Sequence, residues 1–236
     1  MGEFNYLQQL PAIAPELGLT ILAIVVLALD LYLPESRRKG TAYVAAFGLL
    51  GLAITPFVWL PSVGIESYWG GMVEYDILAQ VFKVMILLAG GITCLIAAST
   101  SDLGRKGEFY LIIIVSTLGA SLLSASSDII MIFVALETLS IPLYVLAAFR
   151  KRDQRSIESG MKYFLFGSFA SAILLYGFSL LYGFTGQTNL YAIADYMTGP
   201  EFSLNAVPIV VALVLIFVGF GFKISDVPLH FWTLDV

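Results

Sequence analysis

The chain has 236 residues, of which 59% are hydrophobic and 12% are charged. This composition excludes a soluble globular domain and indicates a polytopic membrane protein, because a soluble surface needs more polar residues. A single cysteine, Cys94, excludes a disulfide framework, a thiolate-ligated zinc site and an iron–sulfur cluster on this chain. The net charge of −5 argues against a nucleic-acid partner.

Apolar runs predict about seven transmembrane helices in one all-α domain over residues 1–236. The N-terminal segment MGEFNYLQQLPAIAPE contains no basic residue and does not resemble a cleaved signal peptide, so we expect the first span to remain. The predicted spans are residues 17–34, 41–60, 77–98, 108–125, 128–149, 158–183 and 206–224, with a break near 224–228.

Basic residues predict the orientation. They cluster in the connections after spans one, three and five, which contain Arg37, Arg38, Lys39, Arg105, Lys106, Arg150, Lys151, Arg152 and Arg155. By the positive-inside rule these connections are cytoplasmic and the N-terminus is outside.

Four ionisable residues lie within the predicted spans: Lys83, Glu137, Lys162 and Lys223. A charge at the centre of a spanning helix costs about 2.5–3.5 kcal/mol on insertion scales, so such residues usually face a bundle interior or a hydrated path. Two of them have a structural alternative. Lys83, near the outer end of span three, can snorkel to the headgroups, and Lys162 can form a surface ion pair with Glu158, four residues earlier.

Glu137 is the deepest carboxylate. It follows Asp128 by nine residues, which places it ~14 Å along the helix in an apolar core ~30 Å thick. Ser140 and Tyr144 follow on the same face, so this helix carries a polar line that favours a hydrated route. A carboxylate that holds helices together is the alternative.

Span seven ends in VGFGFKISDVPLHFW, residues 218–232. Gly219 and Gly221 precede Lys223, and Pro228 cannot donate to the carbonyl of Ile224, so we predict that the helix breaks here. Broken helices at membrane depth are typical of ion-translocating proteins. His230, the one histidine, is suited to relaying protons, or serves as an interfacial anchor.

Span six contains small residues at a spacing that allows close helix packing. Gly167 and Ser171 lie four residues apart, with Gly160, Ser168 and Ala172 nearby. We predict that this face packs against neighbouring helices and holds Lys162 there.

Three segments carry a family resemblance: ALETLSIPLYVLAAF (135–149), SGMKYFLFGSFASAILLYGFSLLYGFTGQTNL (159–190) and GFGFKISDVPLHFW (219–232). They resemble the antiporter-like membrane subunits of proton-pumping NADH:quinone oxidoreductase, respiratory complex I, and are closest to its subunit N branch. The resemblance implies proton translocation, with Glu137, Lys162 and Lys223 at the family's glutamate and lysine positions. It also favours Lys223 over Lys162 as the residue that Glu137 approaches, directly or through one water molecule.

The resemblance also implies the setting. The partners are other membrane subunits of complex I, the lipid bilayer and protons, with no nucleic acid. NADH, flavin, iron–sulfur clusters and quinone are expected on partner subunits, with no cofactor or metal on this chain, and the membrane is expected to be a bacterial plasma membrane. The family's Thr-Pro-Asp is replaced here by Thr233-Leu234-Asp235, and the half length predicts an N-terminal portion, the first half of an antiporter-like fold.

Other functions stay open at this stage. A multisubunit cation/proton antiporter would use the same glutamate and lysines. A half-length chain could instead be an assembly scaffold that transports nothing. A seven-span receptor is disfavoured, because the charges lie inside the spans and there is no second cysteine for an extracellular disulfide.

Overall fold

The computed structural model describes residues 10–34, 38–58, 66–100, 103–200, 202–230 and 232–233. Seven helices in this part of the chain are long and apolar enough to cross a membrane, which confirms the predicted class and number. The α-helices are α1 (Ala14–Tyr32), α2 (Lys39–Leu52), α3 (Thr55–Val58), α4 (Ile77–Ser99), α5 (Gly107–Ser124), α6 (Ile129–Ala147), α7 (Gln154–Thr185), α8 (Leu190–Thr198) and α9 (Phe202–Lys223). A 3-10 turn, Leu10–Ile13, leads into α1, and α2 with α3 makes one span.

Two spans are longer than predicted. The first begins at Leu10 rather than residue 17, because Pro15 suits the first turn of a helix, and Glu16 therefore lies inside the span. Helix α7 has 32 residues, so it is ~48 Å long and exceeds an apolar core of about 30 Å.

Short polar side chains set where several helices begin. Asp76 accepts a hydrogen bond from the Ala79 amide (2.8 Å), and Asp128 accepts one from the Ile130 amide (2.8 Å). Asn189 caps α8 in the same way, through the Tyr191 amide at 3.0 Å. Each cap satisfies an amide that has no partner within its own helix.

Two elements between the spans were not predicted. Helix α8 is one, and the other is an antiparallel hairpin of β1 (Glu66–Tyr68) and β2 (Val73–Tyr75), in which Glu66 pairs with Tyr75. The Tyr68 hydroxyl donates to the Glu66 carboxylate; this bond, with burial, raises the pKa of Tyr68 to about 12. Periodicity gives little signal over strands of three residues.

The chain divides into two compact units, residues 1–126 with 134–143, and residues 127–133 with 144–236. The prediction of a single domain stays a prediction. In the first unit, Ala42, Ala45 and Ala46 of α2 are fully buried, and these small side chains let α2 pack closely on α4, where a Cβ on Gly91 would lie 2.8 Å from Leu50.

In the second unit, α7 packs against α9 through glycines. A Cβ on Gly219 would lie 2.6 Å from Cβ of Leu174, and one on Gly177 would lie 3.0 Å from the Ala212 carbonyl oxygen. Outward faces carry large apolar side chains, among them Phe169 and Phe217, as a lipid-facing surface requires.

Candidate proton-transfer site

Helix α9 ends at Lys223, next to the predicted end at residue 224, while the predicted break over 224–228 stays a prediction. Backbone hydrogen bonds after Lys223 close the helix. The Asp226 amide donates to the Gly221 carbonyl (2.8 Å) and the Ser225 amide donates to the Phe222 carbonyl (3.1 Å). Ser225 has a left-handed backbone conformation, with φ of 58°. This conformation and the two hydrogen bonds together make a Schellman C-cap. The helix therefore stops before Pro228 can act, and Gly219 serves helix packing rather than the break.

Lys223 is partly buried at this helix end. Its ammonium donates a hydrogen bond to the Tyr144 hydroxyl at 3.0 Å and lies 5.6 Å from the centroid of the Tyr144 ring. Tyr144 belongs to the last part of α6 and is 4% exposed. A partly buried lysine at the end of a candidate span thus has a defined polar partner in the same unit, and that partner is the last member of the polar line predicted from the sequence.

Aromatic rings hold the segment after the break. Trp232 stacks on Tyr163 with centroids 4.5 Å apart and on Phe222 at 5.1 Å, and its indole N–H donates to the Phe222 carbonyl at 3.2 Å. Tyr163 also meets Tyr144 edge-on at 4.6 Å. The rings therefore connect α6, α7 and the end of α9 around Lys223.

The small residues of α7 allow this arrangement. A Cβ on Gly167 would overlap the hydroxyl of Tyr144, and one on Gly160 would overlap Ala148. Gly167 and Ser171 are buried as predicted, whereas Ser168 and Ala172 are exposed and lie off the packed face. Gly167 thus determines how close Tyr144 can come to α7.

Lys162 forms the ion pair that the sequence offered as its structural alternative. Its ammonium lies 2.8 Å from the Glu158 carboxylate, and the two side chains are 39% and 65% exposed. An exposed i,i+4 pair contributes about 0.3–0.5 kcal/mol. A role for Lys162 in proton transfer stays a prediction.

Glu137 lies in the middle of α6, half-buried, one turn before the buried Ser140. It belongs to the first unit, whereas Lys162 and Lys223 belong to the second. Its predicted approach to Lys223 stays a prediction.

His230 is exposed in the turns after α9, and its carbonyl accepts from the Thr233 amide at 3.0 Å. Its part in proton relay is untested.

Comparison with known proteins shows which proteins this chain resembles. Residues 126–236, which contain all the candidate proton-transfer residues, match the family described as NADH:quinone oxidoreductase/Mrp antiporter, transmembrane. The second half of the chain is therefore similar to the transmembrane region of this family. It is 39% identical over 235 residues to NADH-quinone oxidoreductase subunit N of Desulfovibrio desulfuricans, a match that covers 98% of the chain and 46% of that protein.

Solved structures of this family share the fold. A chain of respiratory complex I from Thermus thermophilus matches with a TM-score of 0.75 and 31% identity, over 94% of this chain and 46% of that one. A chain of the Mrp complex from Dietzia matches in fold, with a TM-score of 0.69 and 20% identity, over 94% of this chain and 25% of that one. The chain spans about half the length of the curated relatives it matches.

A second charged cluster, which was not predicted from the sequence, lies outside the residues matched to the antiporter family. Lys83 does not snorkel: its side chain is 1% exposed and its ammonium lies 2.9 Å from the carboxylate of Glu16. Glu16 was overlooked because the first span was predicted to begin after it. The sequence did contain a signal for this ion pair, because Glu16 and Lys83 have opposite charges and lie near the same ends of spans one and three.

Proposed function

We propose that the chain is a portion of a proton-translocating membrane subunit of an NADH:quinone oxidoreductase, the antiporter-like subunit N type, in a bacterial plasma membrane. The observation that carries the proposal is the hydrogen bond from Lys223 to the buried Tyr144 hydroxyl, at a helix break within the matched residues. In this proposal the N-terminus of the chain lies outside the membrane and the basic connections between its spans are cytoplasmic.

Lys223 holds the proton in this proposal. The ammonium is stabilised by the Tyr144 hydroxyl, because a hydrogen bond to a charged group contributes about 1.5–3 kcal/mol. A tyrosine hydroxyl both accepts and donates, so Tyr144 can receive the lysine's proton on its oxygen while its own proton passes to a water molecule. The lysine is then neutral, the water becomes hydronium, and Tyr144 ends the transfer uncharged. The proposal gives Glu137 the part of the negative charge whose approach favours the protonated lysine, because a nearby carboxylate stabilises an ammonium.

Redox chemistry takes place elsewhere in this proposal. NADH oxidation and quinone reduction belong to partner subunits that carry flavin, iron–sulfur clusters and quinone. Among the described residues, no three His, Cys, Asp or Glu side chains are grouped as a metal site. This chain contributes side chains that bind and pass protons.

The test is proton pumping in membrane vesicles that contain the complete complex. We expect Lys223→Met and Glu137→Gln to assemble and to lower the number of protons pumped per NADH oxidised. Charge reversal of Glu137 should be worse, and Glu137→Asp milder. Lys151→Met, in an exposed turn after α6, is the matched control and should pump normally. Normal pumping by an assembled Lys223→Met complex would overturn the proposal.

A cation/proton antiporter of the Mrp type is the second candidate. The family description covers both classes, and the Mrp chain shares the fold. Replacement of Na⁺ by an impermeant cation separates the two functions. Proton movement that requires Na⁺ but neither NADH nor quinone would favour the antiporter.

A further inference from the structure

A buried ion pair in the first unit stands apart from the Lys223 site. Glu16 lies in the first turn of α1 and Lys83 lies two turns into α4; their side chains are 6% and 1% exposed, and the N–O distance is 2.9 Å. A buried pair of this kind is weak evidence for stability, since taking two charges out of water offsets much of their attraction. Its other contacts indicate what it does.

One oxygen of Glu16 is fully engaged. Oε1 accepts from the ammonium of Lys83 and from the hydroxyl of Ser121 on α5, the latter at 2.5 Å. The same ammonium donates to the Ala12 carbonyl at 2.8 Å, in the 3-10 turn before α1. Side chains of α4 and α5 therefore hold the carboxyl group through a single oxygen, and the turn before α1 holds the ammonium that pairs with it.

The other oxygen of Glu16 has no partner. Among the described residues, neither Oε2 of Glu16 nor Nε2 of Gln80 makes a hydrogen bond, although the two residues are 5% and 4% exposed. Gln80 lies three residues before Lys83 and therefore on the same face of α4. Buried polar atoms are rarely left unpaired, because the loss of their hydration is costly. Water is complementary to each of these atoms, since it accepts from an amide and donates to a carboxylate.

We propose that Glu16, Lys83, Gln80 and Ser121 form a hydrated protonation site, in which Oε2 of Glu16 takes up one proton from hydronium and returns it to water. Uptake converts carboxylate and hydronium into carboxylic acid and water, and release reverses the step. Lys83 and Ser121 keep the carboxyl group in place through Oε1 in both states. The site would be a station at the N-terminal ends of α1 and α4, and its use in transport rests on the proposed function.

Few other titratable groups lie near Glu16 and Lys83 on the helices and strands that pack around them. In the described part of the chain, β2 brings Glu74 and Tyr75, whose pKa is raised by burial and by Glu66, and Asp76 is occupied in capping α4. The remaining groups on these elements and on α2 lie toward the opposite ends of their helices: Asp30, Tyr32, Lys39, Tyr43, Cys94, Glu108 and Tyr110. Glu16 is therefore the carboxylate whose buried, unpartnered oxygen faces this cluster.

Infrared difference spectroscopy on the complete complex between acidic and neutral pH tests the site. The wild-type complex should show a carboxylic acid band that Glu16→Gln loses and that the control Glu108→Gln, an exposed carboxylate at the far end of α5, retains. If Glu16→Gln keeps the full band, the proposal is wrong.

A second variant keeps the proposal testable if Glu16→Gln fails to assemble. Ser121→Ala leaves both charges but removes a hydrogen bond to Oε1. The band should then move to higher frequency, because a carbonyl with fewer donors is stiffer, and an unmoved band would assign it to another residue.

Pumping separates this site from the Lys223 site. Normal pumping by Lys223→Met with loss of the band in Glu16→Gln would overturn the proposed function and leave the protonation site standing. Reduced pumping by Lys223→Met with an unchanged band in Glu16→Gln would support the proposed function and overturn the protonation site.

Discussion

Gly167→Ala tests how closely α7 must approach Tyr144. The added Cβ would overlap the Tyr144 hydroxyl and lie 2.8 Å from Cε1 of the ring, where ordinary contacts begin at 3.4 Å. The ring must therefore retreat by about 0.6 Å or more, which is enough to break the 3.0 Å hydrogen bond from Lys223.

The substitution Gly167→Ala changes the free energy of unfolding through contributions of opposite sign. Alanine in a helix interior is favoured over glycine by about 0.5–1 kcal/mol. Overpacking costs about 1–3 kcal/mol, and loss of the hydrogen bond to a charged group costs about 1.5–3 kcal/mol, so we expect a net loss of about 1.5–5.5 kcal/mol.

The assay is thermal inactivation of the assembled complex, together with protons pumped per NADH oxidised. Gly183→Ala, on the same helix with no atom within 4 Å of the new Cβ, is the matched control and should be neutral or slightly stabilised. If Gly167→Ala is as stable as Gly183→Ala and pumps equally well, Tyr144 does not depend on this contact and the packing argument is wrong.

Trp232→Phe should lower thermal stability by about 0.5–1.5 kcal/mol through loss of its hydrogen bond to Phe222, whereas the outward Phe217→Ala should change it little; equal effects would refute the role of Trp232 in holding the helix end. Asp128→Ala should cost about 0.5–2 kcal/mol of stability, because α6 loses its cap, and Asp128→Asn should recover most of that loss. Orientation is checked by cysteine labelling at Ser36, Ser62 and Ser156. Ser36 and Ser62 lie outside the described residues, and Ser156 bonds the Ala147 carbonyl, so Lys151 is a better position than Ser156. Labelling of position 36 from outside, or of position 62 from the cytoplasm alone, would contradict the predicted topology. A double-mutant cycle on pumping with Glu137→Gln and Lys223→Met should show strong non-additivity if the two residues pair, and simple addition would count against pairing.

The sequence by itself determined the membrane class, the seven spans and the end of the last helix before residue 228. Apolar runs of about 20 residues and local helix-ending residues are properties of short segments, so no knowledge of tertiary contacts is needed. Lys223 was found in the same way, because a charge inside an apolar run is visible without its partner.

Tertiary structure alone decided what those charges touch. Lys223 and Tyr144 are 79 residues apart in sequence, and Ser121 and Glu16 are 105 apart. A spanning helix predicts the depth of a side chain but not which neighbour it faces, so the ion pair of Lys83 with Glu16 and the contact of Gly167 with Tyr144 required packed helices. The cause of the helix break shows the same limit: Pro228 marked the region, while the hydrogen bonds of the Ser225 and Asp226 amides fixed the residue at which α9 ends.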